Sequence, residues 1–459
     1  MYQLNFDVPI HVHFMGIGGI SMSGLAQILL TRGFTISGSD THETPITKHL
    51  ESEGALIHYP QCAQNITDDI DLVVYTAAIH PDNPEFIAAN AHHIPMMDRA
   101  ELLGQIMKHY EKSVAVAGTH GKTTTTSMLS YIMLQSKCDP TISVGGILKA
   151  IHGNIRIGHS PYFVAEACEY TNSFLKFHPK MEIILNIEED HLDFFKDIND
   201  IRHSFREFAR RLPQDGTLII HGGIQNWQEI TRDLSCKVIT FGLEPENDFS
   251  AANIAFDDMA QGSFDLMIRG EYVDRIQLSV TGSHNISNAL AAIAAGVEMN
   301  ISMEDIKAGL SAYEGTDRRF EYKGTFDGVT VIDDYAHHPT EIQATLSTAQ
   351  NYPHKNLWCV FQPHTYSRTK AFLHQFADAL SLADKVILAD IFPAREEDPG
   401  DIHSKDIMNL LLEKGKDVWY FPSFEAIEEF LKKNCTHGDL LITMGAGDVV
   451  NIGEDLIRP

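Results

Sequence analysis

The clearest chemical signal in the sequence is a glycine-rich loop that leads into a lysine and two threonines. It reads Gly118, Thr119, His120, Gly121, Lys122, Thr123 and Thr124, directly after the apolar run SVAVA. A strand, such a loop and a helix form the context of a phosphate-binding P-loop, whose backbone amides surround the phosphates. We expect the Lys122 ammonium to reach the outer phosphates and the Thr123 hydroxyl to bind Mg²⁺. Val116 departs from the strict pattern, because it stands where the first glycine would be.

Two further apolar strands end in groups that can bind a metal. In the run FVAEACE, alternation puts Glu166 and Cys168 on one face, and Glu169 follows at the strand end. The run MEIILNI leads into EEDHLD, which contains His191. Carboxylate and imidazole groups near a P-loop fit an Mg²⁺ ion that is held partly by nucleotide oxygens. Taken alone, such a segment is more often a solvated strand end or a helix cap than a metal site, and its occurrence in the same domain as Lys122 is what favours metal binding.

Polar residues also follow strands and begin helices in the C-terminal half of the chain. They are His284, Asn285 and Asn288 at a helix start, Asp334, Tyr335 and His337 after one strand, and His364 and Arg368 after the next. Open α/β sheets bind ligands at the carboxyl ends of their parallel strands. Any one of these histidines also fits a helix cap, but three such clusters together predict a binding edge.

A second glycine loop lies near the N-terminus, between a predicted strand and a predicted helix. Gly16, Gly18 and Gly19 would let the backbone approach a diphosphate at the helix start, and Asp40 ends the next strand. A dinucleotide fingerprint has glycine at its sixth position, where this chain has Ser21. The loop therefore permits a nicotinamide dinucleotide but does not require one, and tight packing without a ligand stays open.

Composition limits the classes of function. The 459 residues include 35 Lys and Arg against 62 Asp and Glu, a formal net charge of -27, which disfavours nucleic-acid binding through a broad basic face. The apolar runs are too short to cross a bilayer, and the N-terminus lacks the pattern of a secretory signal. The six cysteines have no CxxC spacing, so we expect reduced thiols in a cytoplasmic protein without membrane contact.

The elements that must position these groups alternate between strands and helices. This alternation predicts α/β domains with parallel sheets. We expect three domains: a Rossmann-like domain over 1–108, a central P-loop ATPase-like α/β domain with an added β-rich part over 109–314, and a C-terminal Rossmann-like domain over 315–459. The β-rich part is the stretch from about 236 to 280, and YEGTDRR at 313–319 is the predicted linker.

Taken together, the motifs resemble those of the Mur ligase family over essentially the whole chain. GTHGKTTTT, EACE, NIEEDHLD, GSHNISN, DDYAHHPTEI and QPHTYSRT occur in the order and spacing of that family. The resemblance implies an ATP-dependent amide ligase of peptidoglycan synthesis, which activates a carboxylate as an acyl phosphate. The GIGGISMSG start and the later ISGSD are most similar to the members that use UDP-N-acetylmuramate and L-alanine. Such an enzyme needs ATP and Mg²⁺ and is expected as a monomer or homodimer.

The resemblance also implies a role for each matched residue. Lys122, Glu166 and His191 correspond to catalytic residues, with Thr123 and Glu166 on the Mg²⁺ of ATP and Glu166 with His191 on a second ion. The loop Gly118–Thr124 binds the phosphates of ATP, and the remaining assignments cover three ligands. These are His284, Asn285, Asn288, Arg319 and Asp334 for the ATP nucleotide, Gly16, Gly18, Gly19, Ser39 and Asp40 for the UDP-sugar, and Tyr335, His337, His364 and Arg368 for the amino acid.

The chain departs from the family pattern at two places. Several relatives that add later amino acids carry a carbamylated lysine about fifteen residues beyond the DH histidine. Here that region reads Ser204, Phe205 and Arg206, which agrees with the alanine-adding members but removes one metal ligand. Many relatives also have aspartate at the position of Cys168, so the contacts to the muramyl group are not assigned.

Three rival interpretations remain. The nearest is the recycling member of the same family, which joins a whole tripeptide to the same UDP-sugar and usually has GICGT in its first loop instead of GIGGI. A nicotinamide oxidoreductase would use the first loop and Asp40 but leave GTHGKTT without a role. A P-loop switch would use Lys122 but not the first loop or the C-terminal clusters.

Overall fold

The computed structural model describes residues 2–76, 78–257, 260–394 and 396–458. Over these ranges the strands form three sheets, which lie within residues 11–98, 112–281 and 321–444. The predicted α/β class with three units is confirmed, whereas the limits at 108 and 314 stay predictions. Among the helices in these ranges, none is long and apolar enough to span a bilayer.

The first sheet is parallel and has the strand order β3-β2-β1-β4-β5. Its elements are β1 (His11–Met15), α1 (Ile20–Thr31), β2 (Thr35–Ser39), α2 (Pro45–Ser52), β3 (Leu56–His58), β4 (Leu72–Tyr75), α3 (Pro84–Ala91), β5 (Met96–Asp98) and α4 (Arg99–Met107). The order reverses between β2 and β4 on either side of β1, so the glycine loop after β1 lies at the switch point where such sheets bind ligands.

The second sheet has the order β15-β14-β13-β12-β11-β10-β6-β9-β7-β8. Its strands are β6 (Lys112–Ala117), β7 (Thr141–Leu148), β8 (Gly153–Arg156), β9 (Tyr162–Glu166), β10 (Met181–Ile184), β11 (Thr217–His221), β12 (Lys237–Phe241), β13 (Phe249–Phe256), β14 (Gln261–Ile268) and β15 (Glu271–Thr281). Its helices are α5 (Lys122–Gln135), α6 (Ile198–Ala209), α7 (Gln228–Thr231), α8 (Ser283–Glu298) and α9 (Met303–Ala312). The strand β6 is flanked by β10 and β9, so the groups that follow these three parallel strands meet at one edge.

The third sheet has the order β16-β17-β21-β18-β19-β20, with β16 antiparallel to a parallel remainder. Its strands are β16 (Glu321–Phe326), β17 (Val329–Asp334), β18 (Leu357–Phe361), β19 (Lys385–Leu388), β20 (Asp417–Tyr420) and β21 (Leu440–Met444). Its helices are α10 (Pro339–Ala349), α11 (Tyr366–Ala371), α12 (Leu373–Leu380), α13 (Ser404–Glu413), α14 (Phe424–Asn434) and α15 (Val450–Ile457). The predicted clusters at 334–337 and 364–368 follow β17 and β18, which both pair with β21.

The first two units share one apolar core. Leu25 and Leu102 of the first unit belong to the same buried cluster as Phe174 and Phe205 of the second. Glycine allows the closest approach: a Cβ on Gly104 would lie 1.9 Å from the carbonyl oxygen of Lys176. A fixed first unit gives the loop after β1 a constant position relative to the P-loop.

Candidate active site

The P-loop connects β6 to α5 through two glycines with positive φ. Gly118 has φ 147° and Gly121, the N-cap of α5, has φ 80°, a region that side chains with a Cβ rarely adopt. Lys122 is the first residue of the helix, and its amide therefore points out of the helix start. The sequence and the backbone agree on an anion-binding loop here.

The Lys122 ammonium is half-buried and paired with a carboxylate. Its Nζ lies 2.9 Å from Oε2 of Glu169 and also donates to the carbonyl of Thr119 at 3.1 Å. Burial alone would lower the pKa of Lys122, but the charge of Glu169 outweighs it and raises the pKa above its usual range. The lysine is thus held as a cation beside the loop.

Glu166 ends β9 and faces the first turn of α5. Its Oε2 accepts a hydrogen bond from Oγ1 of Thr123 at 3.2 Å, and its Oε1 accepts one from the amide of Gly145. Burial raises the pKa of Glu166, while the Gly145 amide and the charge of Lys122 oppose that shift. A hydroxyl and a carboxylate this close are the oxygen donors that Mg²⁺ prefers, so these two residues fit the predicted ion.

His191 lies close to a different carboxylate from the one the sequence predicts. Its Nε2 is 4.0 Å from Oε1 of Glu169 and 3.7 Å from Oδ2 of Asp190, and its ring packs on Tyr170 with centroids 4.5 Å apart. Burial lowers the pKa of His191, which keeps the imidazole neutral and able to bind a metal. Within the described residues no ion pair joins His191 to Glu166, and the carboxylate near His191 from the segment after β9 is Glu169.

A cavity of about 240 Å³ lies beside the P-loop, between the second and third units. Its lining includes the predicted nucleotide residues His120, Gly121, Thr124, His284, Asn285, Asn288, Arg319 and Asp334. Asn285 and Asn288 begin α8, where the Nδ2 of Asn288 donates to Oδ1 of Asn285 at 3.0 Å. The structure therefore brings P-loop residues together with asparagine amides and with residues of the third unit.

Glu341 of α10 connects the third unit to this cavity. Its Oε1 lies 3.4 Å from Nδ1 of His120 and 3.5 Å from Nη1 of Arg319. The other ring nitrogen of His120 is 3.5 Å from Oε2 of Glu188. Burial would lower the pKa of His120, but hydrogen bonding to Glu188 and Glu341 raises it to about 9. A protonated His120 thus sits between two carboxylates of different units.

Asp334 holds the polypeptide at the edge of the same cavity. Its two carboxylate oxygens accept hydrogen bonds from the amides of Phe320 and Ala336, both at 2.8 Å. Burial raises the pKa of Asp334 to about 6, and the charge of Arg319 opposes the shift.

In the described residues the only His, Cys, Asp and Glu cluster that is compact enough for a metal is His120, Glu188 and His338, a set the sequence did not predict.

A second cavity, of about 480 Å³, lies next to the first on the other side of the segment after β10. Its lining contains all four predicted amino-acid residues, namely Tyr335, His337, His364 and Arg368. It also contains Asp190 and His191, whereas Asn186 and Glu188 of the same segment line the nucleotide cavity. The segment 186–191 therefore contributes residues to both cavities, whereas the P-loop residues His120, Gly121 and Thr124 line the first.

Arg368 is engaged within the protein in this structure. Its Nε and Nη2 donate to Oδ1 of Asp190 at 3.1 and 2.9 Å, and its Nη1 lies 3.2 Å from Nδ1 of His364. The sequence predicts an arginine whose fork is free for a ligand carboxylate. Because Asp190 of the second unit occupies Nε and Nη2 of Arg368, Nη1 is the guanidinium nitrogen that faces the cavity residue His364.

The loop after β1 has a geometry that differs from the expected amide cradle. The amides of Gly16 and Ile17 donate to the carbonyl of Ser39, and the amide of Gly19 donates to that of Gly16. The amide of Gly18 donates to Oδ2 of Asp40 at 2.8 Å. The loop amides are thus bonded internally, three to backbone carbonyls and that of Gly18 to the Asp40 carboxylate.

Comparison with known proteins assigns the chain to a family. Three family models match in succession: "Mur ligase family, catalytic domain" over 11–111, "Mur ligase middle domain" over 116–296 and "Mur ligase, glutamate ligase domain" over 318–447. The chain is 62% identical over 458 residues to the UDP-N-acetylmuramate–L-alanine ligase of Agathobacter rectalis, with all of both chains covered. It is 61% identical to the ligase of the same name from Lachnospira eligens, again over both full chains. The chain belongs to the Mur ligase family.

Solved structures agree with the architecture of this Mur ligase. The UDP-N-acetylmuramate–alanine ligase of Thermotoga maritima matches with a TM-score of 0.80 and 28% identity, covering 98% of each chain. A murein peptide ligase from Psychrobacter arcticus matches with a TM-score of 0.72 and 25% identity, also covering 98% of each chain. The three-domain arrangement predicted from the sequence is confirmed by the first of these matches.

Several residues of this Mur ligase that touch the predicted ones were not singled out from the sequence. They are Glu188 and Glu341 on His120, and Asp190 on Arg368, whereas Glu169, the partner of Lys122, is predicted only as a strand-end carboxylate. Each lies inside one of the family motifs, so the sequence feature that could have identified it is a carboxylate at a strand end or a helix start. The partner of each carboxylate depends on how distant elements pack, which the motif does not contain.

Proposed function

We propose that this protein joins L-alanine to the carboxylate of UDP-N-acetylmuramate, with hydrolysis of ATP to ADP and phosphate. The observation that supports this most is the pair of adjoining cavities on either side of the segment 186–191. A nucleotide in the first would lie beside the P-loop residues His120, Gly121 and Thr124, and an amino acid in the second would lie beside His191. The names of the full-length relatives are consistent with the same reaction.

The chemistry begins with activation of the substrate carboxylate. A carboxylate oxygen attacks the outer phosphorus of ATP, the bond to the bridging oxygen breaks, and ADP leaves with the electron pair. The amine of L-alanine then attacks the acyl carbon, loses a proton, and expels phosphate to leave an amide. Phosphoryl transfer depends on positioning and on charge neutralisation, which the Lys122 ammonium supplies beside Gly118–Thr124.

The residues present fit Mg²⁺ as the cofactor. Thr123 and Glu166 are the proposed ligands of the ion on ATP, because their oxygens lie 3.2 Å apart at the start of α5. Glu166 and His191 are the proposed ligands of a second ion. When bound, Mg²⁺ neutralises charge on the phosphate oxygens. The protein's part is to hold Glu166 in place through the Gly145 amide and to keep His191 unprotonated by burial.

The remaining assignments follow the cavities. His284, Asn285 and Asn288 are proposed to contact adenine, and Arg319 and Asp334 to contact the rest of the nucleotide. Tyr335, His337, His364 and Arg368 are proposed to surround L-alanine. Gly16, Gly18, Gly19, Ser39 and Asp40 are proposed to bind the UDP-sugar. We place the enzyme in the cytoplasm, without nucleic-acid or membrane partners, as a monomer or homodimer.

One assay separates this function from its rivals. The full chain is incubated with ATP, Mg²⁺ and UDP-N-acetylmuramate, and phosphate release is compared after addition of L-alanine or an alanine-led tripeptide. A parallel mixture tests oxidation of a reduced nicotinamide dinucleotide. Phosphate release that depends on L-alanine supports the proposal. Release that depends only on the tripeptide would assign the recycling activity instead, and nicotinamide oxidation would assign a reductase.

A further inference from the structure

A histidine of the P-loop, a glutamate after β10 and a histidine at the start of α10 come together between the second and third units. His120, Glu188 and His338 each offer one ligand atom, and these atoms lie within 4.8 Å of one another. The rings of His120 and His338 have centroids 4.5 Å apart, and Nε2 of His120 is 3.5 Å from Oε2 of Glu188. Ligand atoms around a tetrahedral Zn²⁺ lie roughly 3.3 Å apart, because each bond is about 2.0–2.1 Å long. Small side-chain movements therefore suffice for the cluster to hold such an ion.

Hydrogen bonds fix the backbone of two of these three residues relative to each other. The His120 amide donates to Oδ1 of Asn186 at 2.8 Å, and Nδ2 of Asn186 donates to the His120 carbonyl at 3.1 Å. The Glu188 amide donates to Oγ1 of Thr119 at 2.9 Å. Because these bonds join the P-loop to the segment after β10, His120 and Glu188 are already held side by side.

A buried ring nitrogen of His120 faces the cluster. The contact of Nε2 with Glu188 is at the outer limit of a hydrogen bond, and this nitrogen has no closer partner among the described residues. The other nitrogen, Nδ1, lies 3.4 Å from Oε1 of Glu341. Metal-binding histidines usually donate their second N–H to a carboxylate, which orients the ring and makes the ligand nitrogen more basic. His120 and Glu341 already have this arrangement.

His338 supplies the contribution of the third unit. It is the N-cap of α10, where its Nδ1 accepts from the Thr340 amide at 3.3 Å and its Nε2 lies 3.0 Å from the carbonyl oxygen of Glu189. An ion would replace one of these two hydrogen bonds. The Thr340 hydroxyl donates to Oε2 of Glu188 at 2.7 Å, so the start of α10 is already docked on Glu188. An open groove lined by Glu188 and His338 gives an ion a path from solvent.

We propose that His120, Glu188 and His338 bind a divalent transition-metal ion, Zn²⁺ above all, which fastens the third unit to the P-loop. Two imidazoles and one carboxylate form a known type of zinc ligand set that leaves the fourth position to water. Mg²⁺ prefers oxygen ligands, so this site differs in chemistry from the proposed Mg²⁺ ligands Thr123 and Glu166. The ion takes the place of a proton on His120, which is released to solvent. The proposal is independent of the proposed ligase reaction.

Co²⁺ is the first probe, because tetrahedral Co²⁺ has intense visible bands and a thiolate ligand adds a separate near-ultraviolet band. The full chain is titrated with Co²⁺ at mildly alkaline pH in excess Mg²⁺, which competes for the proposed Mg²⁺ site. We expect a single Co²⁺ per chain with tetrahedral bands, no thiolate band, and displacement by Zn²⁺. Equilibrium dialysis gives the stoichiometry and the affinity of each ion.

Two variants each remove one ligand, one from the third unit and one from the second. His338→Asn keeps a side chain that can cap α10, and Glu188→Gln keeps an acceptor for Thr340. We expect each to weaken Co²⁺ and Zn²⁺ binding roughly a hundredfold or more, since the loss of an outer partner alone costs about tenfold to a hundredfold. Zn²⁺ should raise the melting temperature of the wild type but not of these variants.

The matched control is His403→Asn. His403 is the N-cap of α13 and accepts from the Lys405 amide through Nδ1, the same arrangement that His338 has on α10. This variant should bind both ions as the wild type does. An equal loss of binding in His403→Asn would overturn the proposal, because the ion would then bind histidines without selection.

Every other outcome also decides the proposal. Full affinity in a folded His338→Asn or Glu188→Gln protein would overturn it, and so would a wild-type chain that binds neither ion. A thiolate band would assign the ion to a cysteine, and loss of binding in excess Mg²⁺ would assign it to the proposed Mg²⁺ site. X-ray absorption of Zn²⁺ on the wild-type chain needs no variant. It should show two imidazole ligands, and fewer would overturn the site.

Discussion

Arg368 and Asp190 form a buried ion pair that connects the third unit to the segment after β10. Nη2 of Arg368 lies 2.9 Å from Oδ1 of Asp190, and the two side chains are 9% and 7% exposed. Burial would raise the pKa of Asp190, but the charge of Arg368 holds it far below its usual range. Asp190 precedes His191, so the pair couples the proposed amino-acid cavity to the proposed metal site.

Removal of Arg368 should therefore have two separable effects. Arg368→Ala leaves Asp190 buried and unpaired, which we expect to lower the free energy of unfolding by about 3–5 kcal/mol. It should also raise KM for L-alanine strongly while KM for ATP and for the UDP-sugar changes only a few-fold. His364→Ala should show a weaker form of the kinetic effect. Thermal melting and the three KM values measure both.

A double variant separates the two effects of that substitution. Asp190→Asn combined with Arg368→Ala removes the unpaired charge and should recover part of the lost stability. The KM for L-alanine should remain high in the double variant, because the proposed cation is still missing. Recovery of a wild-type KM together with stability would mean that Arg368 acts only in packing.

Lys122→Ala should nearly abolish phosphate release. The variant loses the cation that faces the transferred phosphoryl group, a loss that costs on the order of a hundredfold or more in comparable sites. Affinity for the UDP-sugar should be almost unchanged, since that ligand is proposed to bind the first unit. Glu169→Gln is the control, because it removes the carboxylate 2.9 Å from Lys122 and keeps the lysine. Normal turnover in Lys122→Ala would contradict the P-loop assignment.

Glu182, inside β10, should make the free energy of unfolding fall as the pH rises. Its side chain is fully buried, and neither carboxylate oxygen has a hydrogen-bond partner among the described residues. Burial raises the pKa of Glu182 well above its ordinary value, so folding favours the protonated form. The stability this group contributes is present below its unfolded pKa and is lost as the pH rises toward the folded one.

Glu182→Gln and Glu182→Leu test this linkage. Denaturant unfolding at mildly acidic and mildly alkaline pH should show Glu182→Leu to be more stable than wild type, by about 1–3 kcal/mol at the higher pH. The difference should shrink as the pH falls toward the ordinary glutamate pKa of 4.5, below which the wild-type carboxyl is protonated in both states. A constant difference across the range would show that Glu182 is charged or neutral alike in the folded and unfolded chain.

Activity should not depend on dissolved bicarbonate. Ser204 occupies the region where some relatives have a carbamylated lysine, and its hydroxyl donates to Oδ1 of Asn172 instead. The assay is run in carbon-dioxide-depleted buffer at mildly acidic pH, and bicarbonate is then restored. A large recovery on restoration would mean that another lysine is carbamylated and that the proposed metal ligands are incomplete.

The sequence predicted the scaffold better than the contacts within the site. Near-continuous apolar runs predict β6, β9 and β10 correctly, because parallel strands that are buried on both faces are apolar at nearly every position. The glycines of the P-loop were informative because Gly118 and Gly121 need positive φ. Strand alternation predicts Glu166 and Cys168 on one face, but β9 ends at Glu166, before Cys168.

Pairings between units could not be predicted from motifs. The contacts of Glu341 with His120 and of Thr340 with Glu188 join residues that are far apart in the chain. They depend on how whole helices pack against each other, and a local motif in one sequence does not determine that packing. The same limit explains why Arg368 was predicted as a free ligand-binding cation and not as the partner of Asp190.

The central claim is that ATP activates the carboxylate of the UDP-sugar as an acyl phosphate. The direct measurement uses UDP-N-acetylmuramate with a heavy oxygen isotope in its carboxylate, incubated with the full chain, ATP, Mg²⁺ and L-alanine. The account predicts that one labelled oxygen appears in each released phosphate and that the product gains the mass of one alanine residue. Phosphate without label, or release of phosphate with no gain of alanine, would contradict it.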